Sequence, residues 1–170
     1  MAPDSPTSVE RASAGDVNDA ELATLLRRAY VDGGFTPADV ARTLFAPEAV
    51  RARGDLFIAR GSAGEGLLGM VIVAPPTSPA RRLAEPDEAE MHLLAVDPAC
   101  RGRGVGGRLV EAALAHARSS GFRRMVLWTQ PTMHAARRLY VASGFARAPG
   151  RDARIAELTG RPFLVYERAL

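Results

Sequence analysis

Arg101-Gly102-Arg103-Gly104-Val105-Gly106-Gly107 decides the reading of this chain. An apolar run, Met91-His92-Leu93-Leu94-Ala95-Val96, precedes it, and a helical pattern opens at Val105. Glycines between a strand and a helix leave backbone N–H groups uncovered. The helix N-terminus adds partial positive charge, and together these suit a phosphate or pyrophosphate. The formal match of Gly102-x-Gly104-x-x-Gly107 to a dinucleotide fingerprint fails in its context. Asp97-Pro98-Ala99-Cys100-Arg101 separates the glycines from the strand. The next strand, Met125-Val126-Leu127-Trp128, runs into Thr129-Gln130-Pro131 and offers no carboxylate for a ribose.

Outward from this loop, apolar spacing and turn residues divide the chain into short elements. Leu22, Leu25, Leu26 and Ala29 recur at helical spacing within Asp16 to Tyr30, and Asp32-Gly33-Gly34 ends that helix. Thr36-Pro37-Ala38-Asp39 reads as a helix start, with Thr36 as N-cap. That helix is expected to run to about Phe45, with a further turn from Pro47 to Arg51. Ser8 to Ala12, Asp55 to Arg60, Leu67 to Ala74, Ala89 to Val96, Arg123 to Thr129, Phe145 to Ala148 and Pro162 to Arg168 read as strands. Val105, Leu109, Ala112, Ala113 and Ala117 form one face of the helix after the glycines. A last helix, capped by Thr132, ends at Gly144. The order of elements gives a mixed α+β domain with one central sheet. Residues 1–7 are expected to be a disordered N-terminus, and 8–170 a single domain.

The chain has 170 residues, 47% of them hydrophobic, and a formal charge of +3, which fits one globular domain. No apolar run is long enough to span a membrane. Its basic residues other than histidine are all arginine, and they are dispersed without a stripe interleaved with aromatics, so no nucleic-acid partner is expected. Cys100 is the sole cysteine, so no internal disulfide forms and a cytoplasmic setting is expected. A lone cysteine and three histidines without ligand spacing give no metal site. A homodimer is left open.

Arg101-x-x-Gly104-x-Gly106 resembles the pyrophosphate loop of the GNAT superfamily of acetyl-CoA-dependent N-acetyltransferases, Gln/Arg-x-x-Gly-x-Gly/Ala. Ala89 to Val96 followed by Asp97-Pro98 resembles the family's fourth strand. Ala136-Arg137-Arg138-Leu139-Tyr140-Val141-Ala142-Ser143-Gly144-Phe145 resembles its Ala-x-x-Leu-Tyr-x-x-x-Gly-Phe segment. The resemblance extends from Ala89 to Phe145. It implies a mostly antiparallel twisted sheet of about six or seven strands, flanked by helices and splayed between strands four and five. It also implies acetyl-CoA as co-substrate. Its pyrophosphate would be held by Arg101, Gly102, Arg103, Gly104, Val105, Gly106 and Gly107, and its pantetheine arm would lie along Leu94, Ala95 and Val96.

Attack of an amine on a thioester requires that the thioester be held and the amine deprotonated, and the departing sulfur is helped by a donor. Glu90 stands eleven residues before Arg101, which matches the catalytic glutamate of the histone-acetylating branch of the family. Strand alternation puts Glu90, His92, Leu94 and Val96 on one face. Glu90, with a raised pKa, or His92 is then the base, and Asp87 and Glu88 are weaker candidates. By resemblance Tyr140 is the acid at the coenzyme sulfur. Met133 stands where the family often has an asparagine against the pantetheine. His116 reads as a solvated helix residue and Cys100 as a loop filler. The acceptor site is implied at Tyr30 to Pro37 and at about Pro149 to Arg161, where Arg151 and Arg154 would suit an acidic group. The acceptor is then an amine of a small molecule or a peptide. A non-catalytic acyl-CoA-binding module is the alternative, and a nicotinamide enzyme the third.

Overall fold

The computed structural model describes residues 7–13, 15–62 and 65–170. The N-terminal tail, apart from Thr7, and positions 63–64 of the connection between the second and third strands lie outside them. Seven strands form one sheet: β1 (Ser8–Arg11), β2 (Asp55–Arg60), β3 (Leu67–Ala74), β4 (Glu88–Val96), β5 (Arg124–Thr129), β6 (Ala146–Arg147) and β7 (Leu164–Ala169). Their order is β1-β2-β3-β4-β5-β7-β6. Every neighbouring pair is antiparallel except β4 with β5.

Among the described residues six α-helices cover this sheet: α1 (Asp19–Leu26), α2 (Ala38–Leu44), α3 (Pro47–Arg51), α4 (Val105–Ser119), α5 (His134–Ala142) and α6 (Asp152–Thr159). A reciprocal cap sets the start of α1. Asn18 Oδ1 accepts from the Glu21 N–H at 2.9 Å, and Glu21 Oε2 accepts from the Asn18 N–H at 3.1 Å. After Leu26 the helix widens into a π turn, Arg27–Val31, which carries Tyr30. Gly104 caps α4 at φ 77°, a left-handed conformation that glycine adopts without the steric penalty of a Cβ. From there Val105, Leu109, Val110, Ala113, Leu114 and Ala117 are buried at helical spacing.

Two cores result, one on each side of the sheet. On one side α4 packs with Phe57, Val71, Met125, Tyr140, Phe145 and Tyr166. On the other, α1, α2 and α3 pack over Ile58, Met70, Ile72 and Ala95. A smaller cluster of Leu83, Val126, Ile155 and Val165 lies at the far end of the sheet. Three local expectations are corrected. Thr36 is buried and does not cap; Pro37 is the N-cap of α2. Met133, not Thr132, stands at the N-cap of α5, with no side-chain cap bond. The helix before Gly144 is not the last, because the connection after β6 holds a further helix, α6.

Candidate active site

The site begins where β4 parts from β5. Their parallel pairing joins Glu88, Ala89 and Glu90 to Arg124, Met125 and Val126 and then stops. On its other edge β4 pairs Ile72 with His92 but Met70 with Ala95. Two residues, Leu93 and Leu94, thus oppose Val71 alone, which is a β-bulge. Leu93 sits at φ 47°, a conformation that costs a non-glycine residue about 1–3 kcal/mol. The bulge reverses the alternation of faces. Glu90 and His92 lie on one side, whereas Leu94 and Val96 pack with Ala89 and Met91 against the α4 core. The single face expected for Glu90, His92, Leu94 and Val96 is therefore divided in two. A cavity of about 920 Å³ fills the splay, with Leu94, Ala95 and Val96 in its wall.

At one end of this cavity lies the glycine loop. Gly102 and Gly104 have φ 80° and 77°. Gly104 offers no side-chain cap. The N–H groups of Val105, Gly106 and Gly107 belong to the first turn of α4 and have no intrahelical acceptor. The ladder begins with Arg108 donating to the Gly104 carbonyl at 3.1 Å. Arg101, the four glycines and Val105 line the cavity. Arg103 departs from the expectation. Its N–H donates to the Cys100 carbonyl at 3.4 Å, and its guanidinium turns to Glu65 at 3.5 Å. Arg108 is drawn to the Thr7 carbonyl and Arg137 to Tyr166 and Pro131, so these arginines are engaged elsewhere.

The middle of the cavity holds the titratable groups. Glu90 is fully buried and saturated. It accepts from the backbone N–H groups of Arg82, Leu83 and Ala84 at 2.7–3.1 Å, and its Oε1 lies 2.7 Å from His92 Nε2. Burial alone would raise its pKa, but the His92 contact and the Leu83 and Ala84 N–H groups outweigh it and hold the carboxyl below the usual range. The raised pKa expected of a glutamate base is thus reversed, and Glu90 does not line the cavity. His92 does. An ionised carboxylate at Nε2 keeps the proton on that nitrogen and leaves Nδ1 as the acceptor. That Nδ1 is buried and has no hydrogen-bond partner among the described residues. The Trp128 ring packs against the imidazole, with ring centroids 4.9 Å apart. Asp87 is paired with Arg123, and Glu88 with Arg151 and Arg124, so neither faces the cavity. Tyr140 lines the cavity, its hydroxyl unbonded among the described residues. Burial pushes its phenol far above the ordinary tyrosine range. Met133 also lines the cavity, and its sulfur accepts from the Thr129 hydroxyl at 3.4 Å.

The far end is built from dispersed segments. Tyr30 donates to the Leu94 carbonyl at 2.9 Å and so ties the π turn to the bulge. Gln130 Nε2 donates to the Phe35 carbonyl at 2.9 Å and ties the same segment to the end of β5. Arg151 and Arg154, expected at an acceptor site, are paired with Glu88 and Glu85. Arg161, at the end of the expected Pro149 to Arg161 segment, lines the cavity, and so do Arg53 and Arg82. No periodicity or motif marks the last two. His116, expected to be solvated, bonds Asp55 at 2.8 Å.

An open sheet splayed at its single parallel pair among the described residues, with a cradle of free amides at one mouth, forms a cleft suited to a diphosphate-bearing ligand. Residues 20–145 match the sequence profile of the acetyltransferase (GNAT) family. A mycothiol acetyltransferase of Mycobacteroides abscessus is 33% identical over 138 residues, which are 79% of this chain and 44% of that protein. The chain therefore spans a little under half the length of this relative. Among solved structures, a GNAT acetyltransferase of Staphylococcus aureus aligns with a TM-score of 0.74 at 14% identity, over 97% of this chain and 99% of that one. A Bacillus subtilis acetyltransferase in complex with CoA aligns at 0.67 with 20% identity, over 97% and 99% of the two chains. The chain belongs to the GNAT acetyltransferase family, whose co-substrate is acetyl-CoA. No helix among the described residues is long and apolar enough to cross a membrane.

Proposed function

We propose that this chain transfers an acetyl group from acetyl-CoA to a primary amine of a small molecule or peptide, by direct attack without an acyl-enzyme. One observation carries the reading: His92, whose buried Nδ1 has no hydrogen-bond partner among the described residues, lines the same cavity as Tyr140. The cavity fits the coenzyme on the chain's own chemistry. Its loop has amides without acceptors, left-handed glycines and, in Arg101, a cation with no carboxylate partner among the described residues. Bound there, acetyl-CoA supplies an acetyl group activated as a thioester.

The chain's own groups do the rest. The loop amides and Arg101 hold the diphosphate, and the backbone of Leu94, Ala95 and Val96 aligns the arm. His92 Nδ1, rather than Glu90, takes the proton that the amine loses as the new C–N bond forms, directly or through one water. Glu90 is a positioning residue: it fixes the imidazole tautomer and the ring's orientation. Tyr140 keeps its proton at any working pH and donates a hydrogen bond to the sulfur as the C–S bond breaks and its electron pair settles there. Solvent then moves one proton from His92 to the released thiolate, which leaves as the free thiol, and both residues return to their starting states. Cys100 has no histidine bonded to its sulfur among the described residues to act as a base for it, which supports direct attack. Its free thiol also supports a cytoplasmic setting.

The relatives' name supports acetyl transfer as the reaction, while their acceptor is not carried over from so partial a match. The test follows release of free thiol across an amine library. Tyr140→Phe is expected to lower kcat about 100-fold on any accepted amine while acetyl-CoA affinity stays the same. Equal turnover by the variant would sink the mechanism, and a flat library would favour a binding module.

A further inference from the structure

The charged wall of the cavity has one sign. Arg53, Arg82, Arg101 and Arg161 line it, and among the described residues no aspartate or glutamate does. Arg101 belongs to the diphosphate loop. The other three come from separate segments: the turn before β2, the loop before β4 and the connection between α6 and β7. Arg53 Nη2 donates to the Leu44 carbonyl at 3.1 Å. Arg82 Nη1 donates to the carbonyls of Pro79 and Arg81 at 2.8 and 3.0 Å. Backbone carbonyls thus orient both guanidiniums and leave their charge uncompensated. Nearby Arg151 and Arg154, by contrast, are spent on carboxylates.

Burial holds Arg53 below the usual guanidinium range against the opposing effect of Tyr30, and the like charge of Arg82 adds a smaller lowering. An anion between Arg53 and Arg82 relieves both lowering effects. Beside them the wall is apolar. Val40 and Leu44, one turn apart on α2, are 43% and 38% exposed and line the same cavity as Phe163. A second ammonium group on the acceptor finds no carboxylate to receive it, so a polyamine is disfavoured by every charge present.

We infer that the acceptor is an amine on an apolar body that carries a carboxylate, received by Arg53 and Arg82 while Val40, Leu44 and Phe163 cover the apolar part. This rests on the acetyl-transfer reading for the fate of the amine, but the seat itself is a matter of binding. The experiment compares leucine, methionine and phenylalanine with their methyl esters and with spermidine. Turnover is followed with acetyl-CoA, and binding by calorimetry on the CoA-loaded protein. Each free acid is expected to exceed its ester at least tenfold in kcat/KM, mainly through KM, although the ester's amine is the more readily deprotonated. Arg53→Gln and Arg82→Gln are expected to remove that difference and leave acetyl-CoA affinity unchanged. Arg82 is exposed, so its variant keeps the test open should Arg53→Gln fail to fold. Acids that bind through these arginines without turnover uphold the seat and overturn the chemistry. Esters or spermidine preferred over acids, a preference that survives both variants, or no binding of any acid overturns the seat.

Discussion

The coenzyme end of the cavity and its acceptor end are built from different materials. The first is backbone: the free amides of one contiguous loop, two glycines at positive φ and the unpaired stretch of β4. The second is side chain: Tyr30, Arg53, Arg82, Gln130 and Arg161, brought together from five segments. A backbone cradle depends on local conformation and carries little information about what lies beyond the diphosphate. A side-chain wall can be rewritten one residue at a time, and its charge selects the acceptor. The same fold can therefore keep its coenzyme while its second substrate changes.

His92 joins the two ends, and its removal gives the largest expected effect. His92→Asn is expected to lower kcat/KM about 1,000-fold, within the range of a lost general base. Acetyl-CoA affinity by calorimetry is expected to stay within twofold, because the loop does not use this ring. A parallel fall in coenzyme affinity would break the division between the ends. A variant as active as the parent would return the base to another group.

Much of the coenzyme end is legible in the chain. β2 and β3 fall at Asp55–Arg60 and Leu67–Ala74 as read, because short continuous apolar runs bounded by turn residues leave little choice. Gly104 announces the start of α4 because a left-handed cap needs it. The bulge is invisible: Leu93 is an ordinary leucine within an apolar run, and its positive φ is imposed by the tertiary surroundings. That hidden residue is why Leu94 and Val96 change faces, and why Glu90 and His92 part from them. α6 escapes notice because Ile155 is its only buried residue, and one apolar position has no period. Arg53 and Arg82 stand 29 positions apart. Only the fold brings them to one cavity, with Glu90 anchoring the loop that carries Arg82.

That anchor gives the next effect, on stability. Glu90→Gln keeps the size of the side chain but loses the charge that three backbone N–H groups face. A loss of about 2 kcal/mol is expected from urea unfolding at pH 7. The folded-state pKa of Glu90 is depressed. Its contribution is therefore complete above the unfolded-state value, about 4.3, and is lost as pH falls through the folded one. The gap between parent and variant is expected to hold from pH 7 to 5 and to narrow below pH 4. A gap that widens on acidification would show the carboxyl to be raised after all, and would restore Glu90 as a base.

The smallest effect divides two arginines two positions apart. Arg101 is exposed, lines the cavity and has no carboxylate partner among the described residues. Arg103 is turned to Glu65 at 3.5 Å. A charge-assisted bond to a diphosphate contributes about 1.5 kcal/mol. Arg101→Ala is therefore expected to weaken acetyl-CoA about tenfold and to reduce the salt dependence of binding. Arg103→Ala removes a long, partly exposed ion pair that contributes little. Its coenzyme affinity is expected to stay within twofold of the parent. The loop pattern treats both as basic residues of one motif, so only the direction of each side chain tells them apart. Equal losses at the two positions would mean that Arg103 leaves Glu65 when the diphosphate arrives, and the coenzyme end would then depend on side chains as much as the acceptor end does.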